Sequence, residues 1–207
     1  MNEKKWLEGT DPIDMLEYLR PMGSSRKFRL FSVACCWRVE PYLDGEDSCF
    51  AVQVGERYAD GKATQDELEQ ARASKAGQVS YATVKPTAFA FQAAKYAVQA
   101  AADIVANVGG GSRREVNIEQ CELLRCMFGN PFQKDPFILP HWKTWNNGTV
   151  TRLAHSIYQQ KNFGHLPVLA DALEEAGCDD ETLLDHCRTT TVHTRGCYVL
   201  DTLLGMH

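Results

Sequence analysis

The sequence predicts an all-α protein, a single helical domain of eight to ten helices spanning 1–207. Three observations carry that expectation. Apolar residues recur at three- and four-residue spacing along most of the chain, no period-two run of β-branched residues competes with them, and the stretch from Pro86 to about Val108 is dominated by alanine, the strongest helix former.

The elements follow in order. Asp11 and Pro12 open a helix carrying Ile13, Leu16 and Leu19, with a capping carboxylate and a proline tolerated in the first turn; Pro21 and Gly23 end it. Ser25 is placed to cap "RKFRLFSVACCWRVE", whose stripes Phe28, Phe31, Cys35 and Leu30, Ala34, Trp37 leave little polar circumference, so this helix is expected to be central. Helix 48–59 repeats through Phe50, Val54 and Tyr58, and Thr64 with Glu67 forms a capping box for the next. After the alanine-rich helix, "GGGS" (109–112) is a terminator and not a phosphate loop, because no strand precedes it and no Gly-Lys-Ser/Thr follows. Helix 113–128 brings Cys121, Leu124 and Phe128 to one face and exits at Gly129. Four further helices are predicted at 149–161, 165–176, 179–188 and about 193–205.

Between them lies "NPFQKDPFILPHWKTWNNG" (130–148), with three prolines and four aromatic residues. It reads as an ordered loop pinned by Phe132, Phe137, Trp142 and Trp145, and as a candidate subdomain boundary. The same four residues are the candidate anchors for a protein partner.

Composition excludes several classes. With 22 Lys and Arg against 27 Asp and Glu, the net charge of −5 argues against a dedicated nucleic-acid binder, which needs clustered basic residues. No run of eighteen or more apolar residues exists, so no membrane partner is expected. The N-terminus lacks an export signal's apolar region, which points to a cytoplasmic protein whose eight cysteines are reduced.

The densest chemistry is "CDDETLLDHCRTTTVHTRGC" (178–197), with three cysteines and two histidines. Zinc takes four tetrahedral ligands, usually offered as pairs close in sequence. His193 and Cys197 are four apart, which on a helix puts them on one face; Cys178 and His186 would be separated by roughly 12 Å along a helix and hardly share an ion. His186 and Cys187 point about 100° apart, so one of them joins His193 and Cys197. The fourth ligand then comes from Cys121, Cys126, Asp201 or water, the last describing an open, catalytic-type site. A nucleophile reading pairs Cys187 with His193, or Cys197 with His193 and Asp201. Both compete with core packing, the favoured reading, since buried cysteine behaves as a small hydrophobe. Cys35 and Cys36, inside the most apolar helix, read as core. Arg195 is a candidate ion-pair partner for Asp201 or Asp171.

The phrases "WLEGTDPIDMLEYL", "RKFRLFSVACCWR", "LLRCMFGNPF", "LPVLADALEEAGC" and "HCRTTTVHTRGCYVLDTLLG" together resemble a bacterial family present in many copies in planctomycete genomes, nearly end to end. That family carries no assigned activity, cofactor or substrate, so the resemblance implies an origin and places His186, Cys187, His193, Arg195, Gly196 and Cys197 in a family motif. Tyr198 stands where the family has tryptophan.

The sequence thus leads to a non-enzymatic helical module acting through protein contacts. Two alternatives stand beside it: a metal- or thiol-dependent hydrolase built on His186, His193, Cys197 and Cys187 or Asp201, and a structural zinc domain without catalysis.

Overall fold

A computed structural model describes residues 1–43, 45–74, 76–134, 138–189 and 192–206. Among them the chain is all-α, with twelve α-helices and no strand, and none of these helices is long and apolar enough to cross a membrane. Two of the twelve, α1 (Glu3–Glu8) and α6 (Gln78–Thr83), were not expected, because six residues are too few to display a helical period. The chain divides into two compact units, Met1–Leu124 and Arg125–His207, the division falling inside α8 (Arg113–Phe128).

In the first unit, α2 (Pro12–Leu19) is capped by the Asp11 carboxylate, which accepts from the amides of Ile13 and Asp14. Ser24 caps α3 (Ser25–Arg38), one residue before the serine expected to do so. This helix is the unit's hub: Phe28, Leu30, Phe31, Val33, Cys35 and Cys36 are all buried, and it packs on α4 (Gly45–Ala59), α6 and α7 (Ala90–Ile104). The Cys36 thiol faces the Val79 carbonyl at 3.2 Å, and burial pushes both Cys35 and Cys36 far above the ordinary thiol range. The capping box of α5 (Gln65–Ala73) forms as the spacing predicts, with Thr64 and Glu67 satisfying each other's backbone amides.

One charged side chain penetrates this core. Arg29 donates to the carbonyl of Thr83 and, at 2.8 Å, to that of Lys85, and lies over the Tyr58 ring at 4.9 Å. Desolvation lowers its pKa to about 10. The two carbonyls belong to the turn that ends α6, so a buried guanidinium fixes the turn's backbone. Gly55 permits the close approach of α4 to the same turn, because a Cβ there would sit 2.6 Å from the Thr83 carbonyl oxygen. The alanine-rich helix is shorter than expected: Thr87–Phe89 forms a 3₁₀ turn before it, and Val105–Gly109 a π-helical turn after it, closed by Gly110 at φ +67°.

In the second unit, α9 (Pro140–Gln160) packs on α10 (Leu166–Glu175) and α12 (Tyr198–Leu204), and α10 packs on α11 (Glu181–Arg188). The stretch expected as a loop is partly helical. Residues 130–134 and 138–139 are non-helical, Pro140 starts α9, and within that helix the irregularity is confined to residues 145–148, where Asn146, Asn147 and Gly148 take positive φ. Asparagine and glycine tolerate that region, so the break localises to the Asn-Asn-Gly run. Arg152 bridges it by donating to the Asn147 carbonyl and the Thr149 hydroxyl.

Candidate metal centre

Four side chains of the second unit converge: Cys126, His186, His193 and Cys197 each offer one ligand atom, all within 4.8 Å of one another. They arrive from separate segments. Cys126 lies in the last turn of α8, which ends at Gly129 with φ +63°. His186 lies in the last turn of α11, a helix capped by the Asp180 carboxylate on the Leu183 amide. His193 and Cys197 flank a tight turn in which the Cys197 amide donates to the Thr194 carbonyl and Gly196 takes φ +84°.

That turn corrects the expected helix from 193. The last helix begins only at Tyr198, because the left-handed Gly196 cannot continue a helix, so His193 and Cys197 meet across a turn and not along a helical face.

The spacing suits a tetrahedral ion. His186 Nε2 lies 3.3 Å from Cys197 Sγ, and Cys126 Sγ lies 3.6 Å from His193 Nδ1. Zinc–sulfur bonds of about 2.3 Å and zinc–nitrogen bonds of about 2.0–2.1 Å at tetrahedral angles require sulfur–nitrogen edges of about 3.6 Å. Both cysteines are buried, and the two histidines are half-buried. His193 Nε2 is buried without a hydrogen-bond partner among the described residues, so protein hydrogen bonds leave the polar demand of that ring unmet.

The surroundings favour a thiolate. Burial acts most strongly on Cys197 and opposes its ionisation, yet contacts from Cys126, His186 and His193, with the charge of His186, hold its thiol well below the ordinary range. Ring packing fixes the histidines: His186 meets His193 edge-on at 4.9 Å and tilts against Tyr198 at 4.6 Å. Tyr198 rests on Gly129, where a Cβ would come within 3.4 Å of its ring, and its hydroxyl donates to the Thr182 carbonyl at 3.4 Å. The tyrosine therefore spans the exit of α8 and the start of α11.

The other expected site residues fall elsewhere. Cys187 is buried and lies outside the four-residue group that His186 joins, and its thiol is pushed up by burial, with Cys197 and Cys178 adding to the shift. Asp201, buried in α12, and Cys121, buried in α8, lie outside the four-residue group. Arg195 lies over the Tyr158 ring at 5.3 Å and donates to the Gln159 carbonyl, whereas Asp171 pairs with Arg188. Of the four proposed aromatic anchors, Trp142 is only 2% exposed and sits in the core, Trp145 packs against it, Phe132 is 37% exposed, and Phe137 lies outside the described residues.

Cys126 is the candidate ligand that sequence reasoning did not single out, having left it among four alternatives. It stands 67 residues from His193, far beyond any local ligand pairing.

No protein-family model, curated protein or solved structure matches this chain. The site must be read from its own geometry.

Proposed function

We propose that residues 125–207 form a structural zinc-binding domain in which Cys126, His186, His193 and Cys197 hold one ion. The observation that carries this reading is the convergence of two buried sulfurs and two imidazoles within 4.8 Å of one another, with two sulfur–nitrogen distances of 3.3 and 3.6 Å near a tetrahedral edge. Mixed thiolate and imidazole ligands suit zinc better than the hard, oxygen-preferring calcium and magnesium. The ion would tie the end of α8, the end of α11 and the turn before α12 to one point.

Four protein ligands complete a tetrahedron. A hydrolytic zinc centre keeps one position for water, so this arrangement favours the structural role over the hydrolase alternative. A module acting through protein contacts is compatible with such a staple, although the loop anchors give it little support: Trp142 belongs to the core, and Phe132 alone among the described anchors is exposed.

The test is elemental analysis of protein purified without added metal or chelator, followed by thermal melts with and without a strong chelator. The proposal expects near-stoichiometric zinc and a helical transition that the chelator lowers. A zero count that persists after reconstitution with zinc would overturn it.

A further inference from the structure

The first unit contains a cleft of about 600 Å³ between the end of α5, the turn after α6 and the start of α7. We propose that this cleft binds a small planar anion, an aromatic ring bearing a carboxylate or phosphate. The proposal shares no residue with the metal centre.

Its charge comes from Arg72, at the end of α5, and Lys85, on the turn after α6. The chain as a whole is acidic, yet no carboxylate is found among the described residues lining the cleft. Both cations are half-buried, and neither makes an ion pair among the described residues. The Lys85 ammonium rests over the Tyr81 ring at 4.4 Å, which steers it without neutralising it. Two half-buried cations facing one hollow without a counter-ion are complementary to an anion.

Apolar walls suit a ring. Phe89 is 55% exposed on the 3₁₀ turn, Tyr96 is 38% exposed one helical face along α7, and the small buried Ala93 leaves room between. Large aromatic rings held exposed around a concavity are stacking surfaces without a partner. The Tyr96 hydroxyl is turned to the Gln78 amide oxygen at 3.3 Å, which leaves its ring as the face toward the hollow.

The site is preorganised. Arg29 holds the Lys85 carbonyl at 2.8 Å and the Thr83 carbonyl beside it, so the backbone that presents Lys85 is anchored to the core before any ligand arrives. A volume near 600 Å³ falls within the range of small-molecule sites, about 300–1,000 Å³.

Calorimetric titration of the intact protein with AMP, indole-3-acetate, adenosine and inorganic phosphate tests the proposal. AMP represents the ring phosphates and indole-3-acetate the ring carboxylates, and whichever binds more tightly identifies the source of the negative group. At least one of the two should bind with a Kd of about 1 mM or lower, and about tenfold more tightly than adenosine or phosphate. Arg72→Ala and Lys85→Ala should each weaken that binding about fivefold, the upper range for a solvent-accessible charge pair, while Lys4→Ala leaves it unchanged. Phe89→Ala should weaken the two ring-bearing anions and leave phosphate unaffected. Phosphate or adenosine binding as tightly as the better of the two ring anions, indifference to all three cleft variants in folded protein, or no binding of either ring anion would overturn it.

Discussion

His186 Nε2 and Cys197 Sγ stand 3.3 Å apart although one belongs to the end of a helix and the other to a turn eleven residues later. His186 lies in the last turn of α11, and Cys197 closes the turn in which its amide donates to the Thr194 carbonyl. The ring of His186 is then held between His193 and Tyr198. A contact between a half-buried imidazole and a buried sulfur, backed on both sides, is a preset ligand pair.

Cobalt substitution should therefore report two sulfur ligands. The cobalt-loaded protein is expected to show tetrahedral visible bands and thiolate charge-transfer absorption. Cys126→Ser should remove about half of the charge-transfer intensity, as expected when one of two thiolates is lost. Cys187→Ser should leave the spectrum unchanged, because that thiol lies outside the four-residue group. Equal loss in both variants would mean that the sulfurs have been misassigned.

Gly196→Ala should separate the turn from its ligands. An alanine forced to φ +84° costs about 1–2 kcal/mol. The expected result is a melting temperature lowered by a few degrees and zinc lost to a competing chelator at lower concentration, with the cobalt bands retaining their shape. An unaltered competition curve would show that the turn does not set the position of Cys197.

The sequence made the helices legible because their periods, caps and terminators are local: the Asp11 cap, the Thr64 and Glu67 box and the glycine stop after α7 all appear where spacing alone puts them. The site was only half legible. His186, His193 and Cys197 lie close in sequence, but their arrangement depends on a turn that helical spacing concealed, and the choice of Cys126 over Cys121, Asp201 or water depends on tertiary packing. The fate of Trp142 was hidden for a similar reason: a proline-rich stretch gave no period, although Pro140 in fact begins a helix that buries it.

Arg29→Met should destabilise the first unit by about 2–4 kcal/mol, because the Thr83 and Lys85 carbonyls lose their buried donor. Urea denaturation gives the value. Arg29→Lys should recover only part of it, since one ammonium cannot reproduce the fork that reaches two carbonyls. Wild-type stability in the methionine variant would remove Arg29 from the list of groups that fix the turn.

Alkaline pH should weaken the first unit through its buried thiols. Burial raises the folded pKa of Cys35 and Cys36, so both remain protonated in the native state while the unfolded chain ionises above about pH 8.5. The stability is complete below that value and falls as pH rises, by up to about 1.4 kcal/mol per pH unit for each thiol. Urea midpoints measured from pH 8 to 10 should decline, and a Cys36→Ala variant should decline less steeply. Parallel slopes would contradict the assignment.

The order of the four candidate ligands along the chain bears on how the proposed zinc ion would be loaded. His186, His193 and Cys197 lie within twelve consecutive residues, whereas Cys126 precedes His193 by 67. An unfolded or newly synthesised chain thus still carries a local three-ligand cluster able to catch the ion weakly, and folding then adds the distant sulfur. On the proposed zinc reading, any affinity of the ion for the unfolded state would make its effect on the folding equilibrium smaller than its affinity for the finished site implies. With the proposed ion bound, the C-terminal segment would be a loading platform and Cys126 the latch that closes on it.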